Sequence, residues 1–372
     1  MSAKINIAVI FGGRSGEHEV SVMSARSVLA ALDPQKYNIS AIGITHDGAW
    51  IVGDHVLEAF EANDISGLSQ ATLLPRPGVA GIYTYEGTLE KANINLLTPV
   101  DVVFPVLHGT FGEDGTIQGL LELADVAYVG AGVLGSSVGM DKALFKDVMR
   151  ANHVPVVDSV VFTRLQLSNQ MNEVLAHSEA ISSYPLFVKP ANLGSSVGIT
   201  RCRNRSDLIE GLMDAARYDR RILVEKGINA REIEISVLGN EDPRASVPGE
   251  VLPADDFYSY AAKYLDDRSR LLIPAPLEPE VVNRIQSLAL KAFKAIDCAG
   301  MARVDFLLDR DSGELFLGEV NTIPGFTSIS MYAKLWQASG LPYPALVDRL
   351  VELALDRKAD RDRTEHRYGR TG

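Results

Sequence analysis

Two strand-like segments near the C-terminal end, residues 302–308 (Ala-Arg-Val-Asp-Phe-Leu-Leu) and 315–321 (Leu-Phe-Leu-Gly-Glu-Val-Asn), are separated by a polar turn ending in Ser312-Gly313. With Asp311-Ser312-Gly313 as a three-residue hairpin loop and Gly313 in the left-handed position, the register sets Asp305 opposite Glu319 and Arg303 opposite Asn321. Carboxylates facing each other across a sheet destabilise it unless a cation sits between them. Two carboxylates and an amide oxygen make a hard-oxygen cluster suited to Mg²⁺, with room left for phosphate. An ordinary hairpin with its polar side chains in water fits the same pattern, so other segments must tip the balance.

At 372 residues the chain exceeds the length at which single cores stop growing, so two or three domains are expected. Its formal net charge of −12 argues against a nucleic-acid or anionic-membrane partner, and an anionic substrate must therefore meet a local basic site. Cys202 and Cys298 are too few and too far apart for a disulfide framework or a zinc site. The first residues lead straight into glycines with no cleavage-site pattern, and no apolar run approaches the roughly 18 residues of a membrane helix. A cytoplasmic location is the expectation.

The apolar run at residues 5–11 ends at Gly12-Gly13, and helical spacing follows over residues 20–32: a buried parallel strand turning into a helix. Further strand candidates at 39–44 and 100–107 support an α/β unit over residues 1–131, with 49–95 a less regular elaboration. A second unit spans 132–225, with a helix at 142–151 and strands at 156–162, 186–189 and 222–225. A third spans 226–357, alternating strands (233–238, 303–308, 315–320) with helices (280–296, 344–355). The polar composition that sets in at Asp356 marks residues 358–372 as a disordered tail. Gly-Ser-Ser-Val-Gly occurs at both 135–139 and 194–198, without a surrounding repeat.

Lys189 stands at a strand end before the turn Pro190-Ala191-Asn192-Leu193-Gly194-Ser195-Ser196-Val197-Gly198. Unhindered backbone N–H groups, two hydroxyls and a lysine are what wrapping phosphate oxygens requires, although a glycine-rich hairpin without a ligand has the same composition. Gly139-Met140-Asp141-Lys142 opens a helix; Lys142 is either a solvated helix lysine or a second phosphate-binding cation. Glu225-Lys226-Gly227-Ile228 ends a strand in a way that suits an adenine edge and a ribose hydroxyl, or a plain linker. No G-x-x-x-x-G-K-[ST] loop occurs, and Gly12, Gly13 and Gly16 miss the dinucleotide-binding spacing.

In their order and separation, Lys142, the Lys189 glycine loop, the 225–228 hinge and the acidic hairpin resemble the ATP-grasp enzymes, which ligate a carboxylate to a nucleophile through an acyl phosphate. The segments 12–21 (Gly-Gly-Arg-Ser-Gly-Glu-His-Glu-Val-Ser), 108–115 (His-Gly-Thr-Phe-Gly-Glu-Asp-Gly), 257–264 (Phe-Tyr-Ser-Tyr-Ala-Ala-Lys-Tyr) and 319–328 are similar to one branch, the D-alanine–D-alanine ligases. The resemblance covers roughly residues 4–355. It implies a three-domain α/β (α+β) ATP-grasp fold with a Rossmann-like N-terminal domain, and a homodimer acting on D-alanine and ATP.

Position by position, the resemblance makes Lys142 and Lys189 phosphate-binding lysines and Ser195, Ser196 and Val197 the loop over the γ-phosphate. Glu225, Lys226 and Ile228 match the adenine hinge, Glu232 the ribose carboxylate, and Asp305, Glu319 and Asn321 the ligands of two Mg²⁺ ions, with Mn²⁺ an alternative. Glu17 matches the carboxylate that receives the first D-alanine's ammonium; Ser195 and Tyr264 complete a trio pinning a lid over residues 255–272, and His108 lies close by. Arg303 and the Gly325 N–H match oxyanion donors, and Ser330 and Lys263 the second substrate's carboxylate site, with Met331 beside it. Joining D-alanine to D-lactate is the runner-up, disfavoured by Tyr264; a silent nucleotide binder and an α/β dehydrogenase are the readings from other classes.

Overall fold

The computed structural model describes residues 3–88, 91–194, 197–252 and 270–365. The strands assemble into three sheets. The first runs Lys91–Pro99, Gly81–Thr88, Ser69–Leu73, Trp50–Val52, Tyr37–Ile44, Ile5–Gly12, Val102–Val106, Ala127–Tyr128. Its last four strands pair in parallel, and Ile7 to Phe11 are at most 1% exposed. The other four form an antiparallel meander, so residues 49–95 are more regular than their sequence suggests: alternation there is weak because the outermost strand is exposed along most of its length.

The second sheet is antiparallel, in the order Thr200–Cys202, Leu186–Pro190, Arg221–Lys226, Ser159–Thr163, and is backed by the helices Met171–Glu179 and Arg205–Tyr218. The third runs Arg270–Leu272, Gly249–Leu252, Ala230–Gly239, Gly300–Asp309, Leu315–Asn321, with Arg244–Ala245 beside the long central strand. The helices Lys142–Ala151 and Pro279–Ala295 fill its inner face with Phe145, Met149, Ile285 and Phe293. Residues 270–272, placed by sequence in a lid, are edge strand; residues 255–269 of that segment lie outside the described residues. One Gly-Ser-Ser-Val-Gly copy lies in the helix Val133–Met140, whereas Gly194, Val197 and Gly198 of the other are not helical, so the echo is not a structural repeat.

The acidic hairpin reaches the expected register by a different route. Leu308 pairs with Leu315 and Gly313 N–H donates to Asp309 O, which leaves a four-residue loop, 310–313, instead of three. Gly313 takes the left-handed φ of +72°. Gly318 is then an extra residue between the Phe306–Leu317 and Asp305–Glu319 pairs, and this bulge cancels the longer loop. Alternation sends Val304, Phe306 and Leu317 into the core at 1% exposure or less and leaves Arg303 and Asp305 on the opposite face.

The final helix, Tyr343–Arg361, corrects the expectation of a disordered tail from residue 358. Its polar last turn has a binding surface on the first unit: the Arg357 guanidinium lies 4.1 Å from the Tyr128 ring centroid and donates to Gly130 O at 2.9 Å. Lys358 and Arg361 pair with Asp125, each at 3.1 Å. Residues 366–372 lie outside the described residues.

Candidate active site

A cavity of about 730 Å³ opens between the second and third sheets, with loops of the first unit closing one end. Lys189 and Glu225 reach it from adjacent antiparallel strands; Phe187 pairs with Glu225, so Lys189, two residues on, shares its face. The Lys189 ammonium lies 2.6 Å from Glu225 Oε2. On the other side of the carboxylate, Lys146 Nζ donates to Glu225 Oε1 at 2.5 Å and to Val157 O at 2.9 Å. Burial would raise the Glu225 carboxyl, but the two ammonium groups outweigh it and hold it down to about 2. Burial likewise lowers Lys189, yet Glu225, Glu319 and Glu232 more than offset it, so its ammonium stays above the ordinary range. Lys146, enclosed more tightly, is lowered by burial despite Glu225. Lys142 opens its helix after an Asp141 cap and donates Nζ–H to Leu193 O at 2.6 Å, which ties it to the glycine-rich turn.

Across the cavity, Arg303 forks onto Asp305 with two bonds of 2.7 Å and reaches Glu234 Oε2 at 3.0 Å. Asn321 Nδ2 donates to Asp305 Oδ2 at 3.0 Å. Asp305 thus has Glu319 opposite it on one side and Glu234 on the other. Two carboxylates and a carboxamide facing one cavity are the hard-oxygen donor types that suit Mg²⁺, and a cation would add to the relief of crowding that Arg303 gives Asp305 and Glu234.

The closing end is built around Glu17, 7% exposed. A Cβ on Gly109, whose φ is +75°, would stand 2.5 Å from Glu17 Oε2, and one on Gly194 would stand 2.9 Å from it. Glycine at both positions lets the first unit's loop and the Lys189 loop meet over that carboxylate. Glu113 clamps the same region, accepting from Gly109 N–H at 2.9 Å and from Ile323 N–H at 2.8 Å. Removal from water and the nearby Glu17 charge push its carboxyl up to about 8. His108 Nδ1 faces Ile323 O at 2.9 Å, so it carries the proton; Nε2 then accepts from Ser24 Oγ, 3.0 Å away, which in turn accepts from Phe326 N–H at 3.2 Å. Burial lowers the His108 imidazole, in keeping with this neutral tautomer. These bonds fix residues 323–326, and with them the Gly325 N–H at the cavity wall.

Of the site residues expected from sequence, Glu17, His108, Lys142, Lys189, Glu225, Lys226, Ile228, Glu232, Arg303, Asp305, Glu319, Asn321 and Gly325 line this one cavity. Val197, Ser330 and Met331 do not: Val197 is 38% exposed, Ser330 bonds to Thr327, and Met331 packs against Val251 and Leu335. Ser195, Ser196, Lys263 and Tyr264 lie outside the described residues. Lys146, Glu113 and Glu234 were missed. Glu113 stood inside the quoted 108–115 segment and Lys146 one helical turn after Lys142, but their partners are distant in sequence.

Lysines from a strand and a helix on one wall of the cavity, facing a carboxylate-bearing hairpin on the other, are the arrangement expected of an ATP-grasp ligase. Family models for the D-ala D-ala ligase N-terminus and C-terminus match residues 6–131 and 148–352. A D-alanine–D-alanine ligase of Heliobacterium modesticaldum is 50% identical over 360 residues, covering 97% of each chain, and one of Ruminiclostridium cellulolyticum is 49% identical over 365 residues, covering 96% of this chain and 97% of its own. The solved D-alanine–D-alanine ligase of Coxiella burnetii superposes with a TM-score of 0.82 at 37% identity, covering 97% of both chains. The D-Ala:D-Ser ligase VanG of Enterococcus faecalis also gives 0.82, at 36% identity, covering 95% of this chain and all of its own. The chain belongs to the D-alanine–D-alanine ligase family.

Proposed function

We propose that the cavity joins two D-alanine molecules into D-alanyl-D-alanine, with ATP converted to ADP and phosphate, to supply peptidoglycan precursors. The observation that carries this reading is one cavity in which Lys142 and Lys189 confront the Arg303–Asp305–Asn321 array. A carboxylate resists attack by an amine until one oxygen becomes a leaving group, and phosphorylation to D-alanyl phosphate supplies it. Phosphoryl transfer depends mainly on positioning and charge neutralisation. Lys142 and Lys189 serve the phosphates, Glu225, Lys226 and Ile228 the adenine edge, and Glu232 the ribose.

Asp305, Glu319 and Asn321 would hold Mg²⁺, which when bound neutralises phosphate charge. Glu17 receives the ammonium of the first D-alanine. The second amine's attack builds an oxyanion, which Arg303 and the Gly325 N–H stabilise by about 3 kcal/mol each. Fixing that loop is the work of Glu113, His108 and Ser24. Ser195, Ser196, Lys263 and Tyr264 keep the roles that the resemblance gives them, as do the homodimer and the cytoplasmic setting, whereas Val197, Ser330 and Met331, which stand off the cavity, take no part in this reading; among the described residues no helix is long and apolar enough to cross a membrane.

The test is product analysis. Purified chain with ATP, Mg²⁺ and D-alanine should release ADP only when D-alanine is present, with D-alanyl-D-alanine as product even beside excess D-lactate or D-serine. ADP release independent of D-alanine, or a dominant ester or mixed dipeptide, overturns the assignment.

A further inference from the structure

Among the described residues Lys146 is the one lysine buried to 2% exposure, and the reading above gives it no task. It follows Lys142 by one turn of the helix Lys142–Ala151, so the two ammonium groups leave the same face. A buried ammonium requires compensation, and Glu225 supplies it. The Glu225 carboxylate is divided, with Oε1 on Lys146 and Oε2 on Lys189. Two cations thus share one anion, and the trio carries a single net positive charge. The side chains of Lys146 and Glu225 are 3% and 6% exposed, that of Lys189 23%, so the excess charge is presented at Lys189.

We propose that Lys146 is a positioning and charge-balancing residue for the nucleotide. By neutralising Glu225 from behind the strand, it leaves the Lys189 charge for the phosphate chain; without it, Glu225 and Lys189 would form a neutral pair. This rests on the nucleotide reading of the cavity. A lysine that served packing alone would affect stability without regard to the ligand's charge. A charge balancer must affect anionic nucleotides and spare adenosine.

Calorimetric binding of ADP and of adenosine to the full chain separates these roles. Lys146→Met should weaken ADP about tenfold or more and adenosine less than about threefold, the loss expected when a buried charge loses its partner. The KM for D-alanine should hold within about twofold. In Lys146→Met/Glu225→Gln, where the carboxylate charge is gone as well, ADP affinity should return to within about threefold of Glu225→Gln alone, and this comparison decides the matter if the single Lys146 variant does not fold. Unchanged ADP affinity in Lys146→Met, equal losses of ADP and adenosine, or a further tenfold loss in the Glu225→Gln background would overturn the proposal. Failure of the unmodified chain to bind ADP, or indifference of ADP affinity to Lys189→Ala, would instead remove the nucleotide reading beneath it.

Discussion

Glu113 and Glu225 line one cavity yet are displaced in opposite directions, and the displacements make opposite statements about stability. Glu225 is held down to about 2 by two lysines, below its ordinary 4.5, so its contribution is present above pH 4.5 and is lost as pH falls toward 2, on the order of 3 kcal/mol in all. Glu113 is pushed up to about 8 by removal from water and by Glu17. Between pH 4.5 and 8 the unfolded chain gives up this proton while the folded chain keeps it, so stability drains as pH rises through that window and is level above it. Thermal melts of the unmodified chain and of Glu113→Gln should show this: the unmodified protein should lose ground steadily from about pH 5 to 8. A pH-independent difference would assign Glu113 an ordinary carboxylate. Little of this was legible beforehand. Glu113 finds its partners in backbone N–H groups 4 and 210 residues away, and backbone donors leave no trace in a residue pattern.

The acidic hairpin shows how an element can be legible in outcome and not in construction. Its alternation, Val304 and Phe306 inward and Arg303 and Asp305 outward, can be read directly, because period-two patterning is a property of the strand itself. The four-residue loop and the Gly318 bulge are not, since each shifts the register by one residue and only their sum is visible at Asp305 and Glu319. The consequence is a separation of stability from catalysis. Asp305→Ala or Glu319→Ala should reduce ligation below about a thousandth while shifting the melting temperature by only a few degrees, because the packing face is untouched. The glycine loops separate less cleanly. A methyl group at Gly109 would stand 2.5 Å from Glu17 Oε2 and 2.6 Å from Ser15 Oγ on a backbone with φ of +75°. Gly109→Ala should therefore raise the KM for D-alanine more than that for ATP, as steady-state kinetics would show; equal changes in both would detach Glu17 from the amino-acid end.

At the scale of the molecule, the core does not follow the order of the chain. Leu346, Val347, Leu350 and Val351 of the last helix pack in one cluster with Ile7, Val9 and Phe104 of the first sheet, and Asp348 accepts from Tyr37 Oη at 2.8 Å. From sequence, chain continuity is the only guide and places this helix in the third unit, and charged residues without a period make its last turn look unstructured. Burial elsewhere supplies the missing partner. The last turn therefore provides a direct test of how the ends of the chain hold each other. Removing residues 356–372 deletes Arg357, whose guanidinium stacks on Tyr128 and donates to two backbone carbonyls, together with Lys358 and Arg361. The half-exposed ion pairs contribute little and the Arg357 contacts most, so the loss should be about 2–4 kcal/mol. Removing only residues 362–372 deletes none of those contacts with the first unit, taking with it only exposed pairs such as Lys358–Asp362 and Arg363–Asp360 and the fraying end of the helix, and should leave stability within about 0.5 kcal/mol. Chemical denaturation of the two truncations against the full chain distinguishes them. Equal stability for both would return residues 356–361 to the status of a tail, whereas a loss confined to the longer deletion makes that turn part of the first unit's core.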